Sequence, residues 1–496
     1  MKVAVFSTHI LWPSHFETDL EVIDNHLAKK DEVDIYVCNR SLHHCELIFE
    51  HAKYAHVDYN TIKNSFCNKC IQKRSTGVKL LENKKYNLID FIDNNVSIDV
   101  PNFNTDYLVS HAAFKKLTYK NYDIGWAILS SFISLTQNPN VNLFDYEKEI
   151  RTNYDECIKI YESVCAALNN KTYGCLYVFN GRLSYTKAIF RAAQSCNVDC
   201  YVVERGATIH KYSLFKNHTI HNIEKFKENA LETWEKNKNI IEKEKIAHQF
   251  YANRRKGIIG SWHSLIDLQK EGLLPQCWSN EKKNIVFFSS SDDEFASVDD
   301  SWKNPYFETQ LDAINYIKKI VEQDDRFKSW KLYVRVHPNA QRLGEEYLKQ
   351  IQALESNNVH IILPQSSISS YALIDECDVV ITVGSTVGYE AVYAGKYTIQ
   401  LGKSLYYNFK GPINPEKKED IAGFLLNYKI IDTNPNDTLL LGYFMNTFGV
   451  GYNFYKPIDY KNGTYKNVNL NFLGTNRKIT LKKVLQKLKH YIKQKV

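Results

Sequence analysis

The strongest constraint on the fold is an alternation of short apolar runs and helical segments in the second half of the chain. Five runs have the length and composition of buried strands: NIVFFSS, KLYVRVHP, VHIILP, DVVITVG and YTIQLG. Segments such as NPYFETQLDAINYIKKIVEQD lie between them and carry apolar residues at helical spacing. This order predicts a parallel sheet with helices on both faces, which is a Rossmann-like domain.

The first half of the chain predicts a second domain of the same kind. The segments KVAVFST, HFETDLEVIDNHLAKK and VDIYVC form an opening βαβ unit, and GCLYVFN, SYTKAIFRAAQSC and VDCYVVER follow later. Long helices are predicted over 106–136 and 144–169. The stretch LLPQCWSNEKKN is typical of a linker. We therefore predict domains at 1–280 and 281–430, followed by an extension over 431–496.

Composition and charge favour a cytoplasmic protein with sizeable cores. Of the 496 residues 44% are apolar, and no run reaches the 18 apolar residues of a membrane span. The first residues lack the order of a signal peptide, because acids appear where a cleavage site should be. Residues 477–496 predict a basic amphipathic helix, which either lies on the inner membrane surface or packs on the body with its lysines in water.

The first candidate phosphate site is the sequence RVHPN at the end of a predicted strand. Ligands of such sheets bind outside the carboxyl ends of the strands. His337 could donate a hydrogen bond to a phosphate there, while Pro338 stops the strand and Arg335 could hold the charge. The alternative is that His337 only caps the strand end.

The second candidate is the turn GSTVG, which follows the strand DVVITVG. Gly384 lets the backbone turn sharply and approach a ligand, and Ser385 or Thr386 could cap the helix that follows. A capped helix start directs amide hydrogens at a bound phosphate. Glu390, one turn further on, is placed to accept hydrogen bonds from ribose hydroxyls. Together with the HP turn, this pattern favours a nucleotide site.

The third candidate is the stretch FFSSSDDEF, again at a strand end. Its three serines could supply hydroxyls to one wall of the candidate nucleotide site: Ser289, Ser290 and Ser291. The adjacent acids suggest Mg²⁺, but the chain has no GxxxxGK[ST] loop, so an ATPase lacks its central part. We expect no catalytic metal here.

These stretches carry a family resemblance. YVFNGRLSYTKAIFRAA, VVERGA, FFSSSDDEF, RVHPN and the segment around GSTVGYEAVYAGK resemble bacterial capsule polysaccharide biosynthesis proteins and related GT-B glycosyltransferases, mainly over 173–403. The resemblance implies two Rossmann-like domains facing a central cleft. It also implies that His337, Pro338, Ser385 and Thr386 bind the phosphate of a nucleotide-sugar donor.

The implied function is transfer of a sugar from a CMP-, UDP- or GDP-linked donor to a surface glycan or its lipid-linked precursor. An epimerase of the same fold and a non-catalytic glycan-binding or export-assembly protein are the alternatives. Nucleic-acid binding fails to explain the HP and GST turns.

In GT-B enzymes the acceptor and, in inverting members, the catalytic base belong to the first domain, so we expect these groups at strand ends facing the cleft. The candidate bases are Glu17, His15 and Glu204, and the candidate acceptor or phosphate contacts are Asn180, Arg182 and Arg205. Each has a structural alternative, such as an ion pair between Glu204 and Arg205.

Four cysteines form a separate candidate metal site. Cys67 and Cys70 have the C-x2-C spacing of a tight zinc half-site, and Cys38 and Cys45 are a looser pair. A closed site of four thiolates would be structural, since it leaves no position for substrate. The alternative is four reduced cysteines near a loop.

Overall fold

The structure is a computed structural model that describes residues 1–82, 85–93, 95–258, 268–428 and 436–472. In chain order its strands are β1 (Lys2–Ser7), β2 (Glu32–Val37), β3 (Tyr86–Asp90), β4 (Cys175–Phe179), β5 (Cys200–Arg205), β6 (Lys211–Lys216), β7 (Lys283–Phe288), β8 (Trp330–Arg335), β9 (Val359–Ile362), β10 (Val379–Thr382), β11 (Tyr397–Gln400), β12 (Val450–Gly451), β13 (Tyr455–Pro457) and β14 (Gly463–Tyr465).

Helices connect these strands on both faces of the sheets. In chain order they are α1 (His15–Ala28), α2 (Glu46–Ala55), α3 (Tyr59–Lys79), α4 (His111–Phe114), α5 (Ile124–Thr136), α6 (Glu147–Asn170), α7 (Ser184–Ser195), α8 (Ile223–Lys236), α9 (Ile240–Arg255), α10 (Asp292–Ala296), α11 (Gln310–Gln323), α12 (Glu345–Gln352), α13 (Ser370–Glu376), α14 (Val387–Tyr393), α15 (Asp420–Leu426) and α16 (Asn436–Thr447). No helix among the described residues combines the length and the apolar character needed to span a membrane.

Two sheets organise the chain. The first has the order β12-β6-β5-β4-β1-β2-β3, and the second has the order β11-β10-β7-β8-β9. Strands β1 to β5 run parallel, and so do all five strands of the second sheet. Most of their apolar residues are buried because helices cover both faces, whereas Leu88 on the edge strand β3 is 50% exposed. The predicted GT-B arrangement of two Rossmann-like domains is confirmed.

The strand order places one topological switch point in each sheet. β1 lies between β2 and β4, so the chain leaves β1 toward one side and later returns to the other. β7 lies between β8 and β10 in the same way. Crevices at the carboxyl ends of such strand pairs are where ligands bind in open α/β sheets. The topology therefore directs attention to the ends of β1 and β4 and to the ends of β7 and β10.

The carboxyl edges of the two sheets face each other. Arg182, just after β4, donates to the carbonyl oxygen of Ser297, which lies beyond β7, at 2.9 Å. The Ser130 hydroxyl on α5 donates to the same carbonyl at 2.7 Å. Trp302 donates its indole N–H to the His221 carbonyl at 2.8 Å. These contacts cross between the domains, so the two crevices open into a shared cleft.

The chain returns to the first domain after completing the second. β12 pairs antiparallel with β6, and the β13–β14 hairpin packs against α1. Buried Glu21 accepts three backbone N–H bonds from 453–455, at 2.7, 2.9 and 3.0 Å. Residues 450–472 of the predicted extension therefore pack on the first domain, whereas α16 also packs on residues of the second domain. The predicted basic helix over 477–496 lies outside the described residues.

Two local predictions differ from the structure. The helix predicted over 106–136 is broken into the short α4 and α5, because Lys120 adopts a left-handed φ of 52° and Tyr119 pairs with Tyr122 in a tight turn between them. β6 was not predicted, although it follows β5 directly and pairs with it antiparallel. Its polar, lysine-flanked sequence KYSLFK has a weak strand signal.

We expect Glu21→Ala to lower the free energy of unfolding by about 3–5 kcal/mol, because three backbone N–H donors lose a buried carboxylate acceptor. Urea unfolding measures the loss, and hydrogen exchange should accelerate first at 453–455. Glu32→Ala, at an exposed position, is the matched control. Unchanged exchange at these amides in Glu21→Ala would contradict this account of how the segment is held.

Candidate functional site

The loops after β7 and β8 are tied together at the edge of the second sheet. The backbone N–H of Ser289 donates to the Arg335 carbonyl at 3.1 Å, and the His337 N–H donates to the Ser289 hydroxyl at 2.8 Å. The turn after β10 lies on the other side of β7, so His337 and Ser385 are two strands apart, roughly 10 Å across the sheet. The predicted HP, serine and GST segments therefore share one edge.

The GST turn packs closely on the loop after β7. A Cβ atom at Gly384 would lie 2.9 Å from the Phe295 ring and 3.0 Å from Cβ of Ser404, so only glycine fits. The Ser385 N–H donates to the Thr382 hydroxyl at 3.1 Å, which fixes the turn. The Ser385 hydroxyl accepts a long bond of 3.4 Å from the Val387 N–H, and Thr386 makes no cap bond. The predicted cap is therefore weak, and α14 has only seven residues.

His337 caps the short turn that Pro338 begins. Its Nδ1 accepts the Asn339 N–H at 3.1 Å, so Nε2 carries the proton of the neutral ring. That tautomer can donate from Nε2 to a phosphate oxygen. The capping role and the predicted phosphate role use different ring nitrogens and are compatible.

Arg335 has a structural role besides the predicted one. This arginine is 3% exposed and donates to the carbonyl oxygens of Leu363 and Ser366, at 2.9 and 3.3 Å. Burial lowers the pKa of its guanidinium to about 10. Arg335 therefore holds the loop after β9, and its contact with a donor phosphate stays a prediction.

Sequence analysis missed an arginine that reaches the GST turn from α9. Arg254 donates to the Thr386 hydroxyl at 3.3 Å and forms an ion pair of 3.0 Å with Glu390. Burial opposes the charge of Arg254, but Glu390 and neighbouring groups outweigh it and raise the pKa of the guanidinium. No motif marks Arg254, because it lies more than 130 residues before its partners.

Glu390 lies at the centre of this cluster. Its second oxygen accepts the Tyr371 hydroxyl at 2.5 Å, and burial together with Glu390 raises the pKa of Tyr371. A carboxylate has about four acceptor positions. Arg254 occupies two of them and Tyr371 a third, so about one remains for a ribose hydroxyl. The predicted ribose contact is compatible with the structure and stays a prediction.

The serine run lines the other side of the same crevice. Ser290 is 5% exposed, and its hydroxyl makes no hydrogen bond within the described residues. Its backbone N–H donates to the Gln310 side chain at 2.6 Å, and the Ser291 hydroxyl donates to Asp293. Asp292 accepts from Tyr347 at 2.8 Å, and burial raises the pKa of its carboxyl group. The acids are therefore engaged within the loop.

The end of β4 borders the crevice of the first sheet. Asn180 and Gly181 have positive φ values of 62° and 67°, and the Asn180 amide donates to Glu204 at 2.7 Å. Burial raises the pKa of Glu204, while Asn180 and two arginines oppose that shift. Arg205 lies at the end of β5, with its guanidinium 5.3 Å from the Tyr460 ring centre. These predicted residues lie at the expected edge of the sheet.

Arg182 has a larger structural role than predicted. Besides Ser297, it donates to the hydroxyls of Ser130 and Ser134, at 2.6 and 3.2 Å. Burial lowers its pKa to about 10. It also lines a cavity of about 530 Å³ between the domains, together with Lys187, His221, Ser297 and Lys403. A contact with an acceptor through this cavity stays a prediction.

Glu17 and His15 begin α1 beside the end of β1. Glu17 forms a buried ion pair of 2.8 Å with Lys73, with both side chains 2% exposed. Burial and the charges of Arg205, His9 and Lys73 hold the pKa of His15 well below its usual value. The ion pair favours the structural alternative for Glu17, and the catalytic role of either residue stays a prediction.

Asp19 is a buried acid that sequence analysis did not single out. It is 6% exposed, and burial raises its pKa to about 8, with the Glu17 charge adding to the shift and the Ser7 hydroxyl opposing it. In the sequence Asp19 resembles any acid near the start of a helix, so burial alone distinguishes it.

A buried histidine and glutamate lie just behind the end of β1. His9 Nε2 is 3.0 Å from Glu46 Oε2, and both side chains are 2% exposed. His9 Nδ1 is 2.7 Å from the hydroxyl oxygen of Thr8, which is half-buried at the strand end. In the sequence, the position of His9 just after β1 is its one sign of a possible role, because its partner Glu46 is 37 residues away.

The predicted zinc site gains no geometric support. Cys38 follows β2, Cys45 precedes α2, and Cys67 and Cys70 lie one turn apart on α3. Burial raises the pKa of Cys70 to about 12, with the charge of Cys38 adding to the shift. Within the part of the chain that the structure describes, no three His, Cys, Asp or Glu side chains converge as metal ligands. The structural zinc stays a prediction.

Comparison with known proteins identifies one family. Residues 307–455 match the family model described as capsule polysaccharide biosynthesis protein. The predicted resemblance is confirmed over this segment, which is less than a third of the chain and includes the HP and GST turns. A search of curated proteins finds no match.

Solved structures show distant likenesses. Thermosulfurimonas dismutans KpsC, a beta Kdo 2,4 transferase, is 13% identical over 55% of this chain and 79% of its own, with a TM-score of 0.35. A putative UDP-N-acetylglucosamine 2-epimerase from Listeria monocytogenes is 11% identical over 91% of this chain and 93% of its own, with a TM-score of 0.27. Likenesses at these scores do not bear on activity.

We expect Asp19→Asn to change how stability depends on pH. The folded protein holds the Asp19 proton up to a pKa of about 8, whereas the unfolded chain releases it near its ordinary value of 3.8. Stability of the wild type therefore falls as pH rises between these values. The variant should gain up to ~2 kcal/mol relative to wild type between pH 6 and pH 8.

Urea unfolding at the two pH values measures this difference. Glu235→Gln, at an exposed position, should give the same difference from wild type at both. If the free energy of unfolding of Asp19→Asn differs from that of wild type by the same amount at pH 6 and pH 8, the raised pKa of Asp19 is refuted.

Proposed function

We propose that the protein is a glycosyltransferase that moves a sugar from a nucleotide-sugar donor to a surface glycan or its lipid-linked precursor. The donor nucleotide binds in the crevice of the second sheet, and the acceptor enters from the first domain. The observation that carries the proposal is the convergence of the serine run and the GST turn on the switch point between β7 and β10.

Ser290 supports a polar ligand in that crevice. A buried hydroxyl without a partner costs roughly 1–3 kcal/mol, so proteins seldom leave one unless a ligand or water completes it. The Ser290 hydroxyl is in that state within the described residues, at the end of the central strand β7. A phosphate oxygen is a suitable acceptor for it.

Arg254 supplies the positive charge that a phosphate requires. Its guanidinium has five N–H donors in a fixed plane, and the contacts to Thr386 and Glu390 orient it at the GST turn. Such an arginine can stabilise the charge that develops on a departing nucleotide phosphate. We therefore expect Arg254, His337 and the GST turn to assist departure of the phosphate without a catalytic metal.

The facing edges of the two sheets support transfer between bound substrates. Arg182 and Ser130 connect the first domain to the loop after β7, so an acceptor beside β1 and β4 lies opposite the donor crevice. Glu204, Asn180 and Arg205 stand at that edge and are the proposed acceptor contacts. Contact of 477–496 with an anionic membrane surface would bring a lipid-linked acceptor close.

A binding panel separates the proposed transferase from its alternatives. CMP, UDP, GDP and one sugar conjugate of each are titrated by calorimetry. The transferase and an epimerase should bind one nucleotide class, whereas a non-catalytic glycan-binding protein should bind none. Nucleotide release that depends on an added glycan acceptor favours transfer, and interconversion of the donor sugar without acceptor favours epimerisation.

We expect Arg254→Met to weaken binding of the preferred nucleotide diphosphate or monophosphate by about 10- to 100-fold, since a charged hydrogen bond is lost. Thr386→Val should weaken it less, because it removes a neutral hydroxyl. Calorimetric titration gives both dissociation constants.

Arg255→Met is the matched control. Arg255 is the next residue, but it pairs with Asp375 at the surface, with 38% of its side chain exposed. It should leave nucleotide affinity within about twofold. Equal affinity for wild type and Arg254→Met, with both proteins folded by circular dichroism, would remove Arg254 from the donor site.

A further inference from the structure

Thr8, His9 and Glu46 form a continuous hydrogen-bonded line from the cleft edge of β1 into the first domain. Thr8 Oγ1 lies 2.7 Å from His9 Nδ1, and His9 Nε2 lies 3.0 Å from Glu46 Oε2. The other Glu46 oxygen accepts the hydroxyls of Ser131 and Ser184. Every polar atom of the Glu46 carboxylate therefore has a partner.

The chemistry of these groups fixes where the protons lie. Burial acts to raise the pKa of Glu46, but the hydrogen bond and charge of His9 and the two serine hydroxyls outweigh it and lower the pKa. An ionised carboxylate only accepts hydrogen bonds, so His9 Nε2 carries a proton. A neutral ring in this position has its lone pair on Nδ1, where it accepts the Thr8 hydroxyl.

Aromatic side chains enclose the imidazole. The His9 ring centre lies 4.4 Å from that of Trp12 and 5.3 Å from that of Phe179, and the His9 side chain is 2% exposed. Thr8 is half-buried and occupies the strand end at the switch point between β1 and β4. A molecule in this crevice meets the Thr8 oxygen before it meets the imidazole.

We propose that Thr8, His9 and Glu46 form a proton relay that deprotonates the acceptor hydroxyl. This inference rests on the proposed glycosyl transfer and deepens it. Thr8 and His9 are the catalytic residues of the relay, because Thr8 contacts the acceptor and His9 receives the proton. Glu46 is a positioning residue that holds the ring and stabilises the imidazolium ion.

The step balances as a direct displacement. The acceptor oxygen forms a bond to the anomeric carbon while the bond from that carbon to the nucleotide phosphate breaks, and the phosphate leaves with the electron pair. The acceptor proton passes to Thr8 Oγ1 as the proton of Thr8 passes to His9 Nδ1. The products are a glycoside, a free nucleotide and a His9 imidazolium ion that later returns its proton to water.

The other candidate bases are less suited to this step. Glu17 is committed to its ion pair with Lys73. The low pKa of His15 makes it a weak base, since burial and the Arg205 charge disfavour its protonated form. Glu204 accepts from Asn180 and remains the direct competitor of His9. The relay alone pairs a basic nitrogen with a buried anion that stabilises its protonated form.

The test compares variants of the full chain in two assays. Calorimetry with the donor class found in the nucleotide panel measures binding, and nucleotide release from that sugar donor measures turnover. Turnover is followed with water as acceptor and with octyl glucoside and octyl galactoside as acceptor probes. His9→Gln should lower kcat by about 10²- to 10⁴-fold with donor affinity within about twofold.

The remaining variants separate the roles within the relay. Thr8→Val keeps the shape of Thr8 without its hydroxyl and should lower kcat at least about 10-fold, whereas Thr8→Ser should restore turnover relative to Thr8→Val. Glu46→Gln should lower kcat and move the acidic limb of the pH–rate profile to lower pH, because the imidazolium loses its anion. His56→Gln, at an exposed position, is the control that should match wild type.

The outcomes distinguish the relay from the proposed function. If wild type binds none of the nucleotides or sugar donors, both proposals fail. If wild type turns over and folded Thr8→Val matches it, the relay is wrong and the transferase stands. Full turnover by His9→Gln together with its loss in Glu204→Gln would assign the base to Glu204. Should His9→Gln unfold, Thr8→Val and Thr8→Ser still decide.

Discussion

One carbonyl oxygen of the second domain accepts hydrogen bonds from two groups of the first domain, and this contact helps to fix how the two domains face each other. The Ser297 carbonyl, beyond the end of β7, accepts hydrogen bonds from Arg182 and from Ser130 of the first domain. A charged guanidinium buried at this point requires fixed acceptors, and it finds them on two elements at once. The contact sets the carboxyl edges of two parallel sheets against each other, and all the candidate groups stand along those edges.

Much of the fold could be predicted because parallel sheets have a strong sequence signature. The strands of the second sheet are short apolar runs separated by amphipathic helices, and all five were predicted near their observed positions. β6 was not predicted because its sequence KYSLFK has no such apolar run. The segment 450–472 was not predicted because its contacts to Glu21 are more than 400 residues distant along the chain. The spacing of apolar residues predicts individual helices and strands, whereas these contacts form only when the whole chain has folded.

The candidate site shows the same division. Turn chemistry found His337 and the GST turn, since glycine and proline at strand ends have few other uses. It did not predict that Arg335 donates to the loop after β9, because a sequence does not tell which way a strand-end arginine points. Arg254 and the pair of His9 with Glu46 come from elements far apart in sequence, so only their contacts identify them. The residues that sequence analysis missed are those whose contacts are with residues distant along the chain.

The return of the chain to the first domain has a mechanical consequence. The chain enters the second domain after α9 and leaves it through α16, and these two helices pack against each other. A domain joined by a single chain connection can rotate about several axes, whereas two connections that pack together restrict that rotation. The packing of α9 against α16 therefore favours a single alignment of the two crevices.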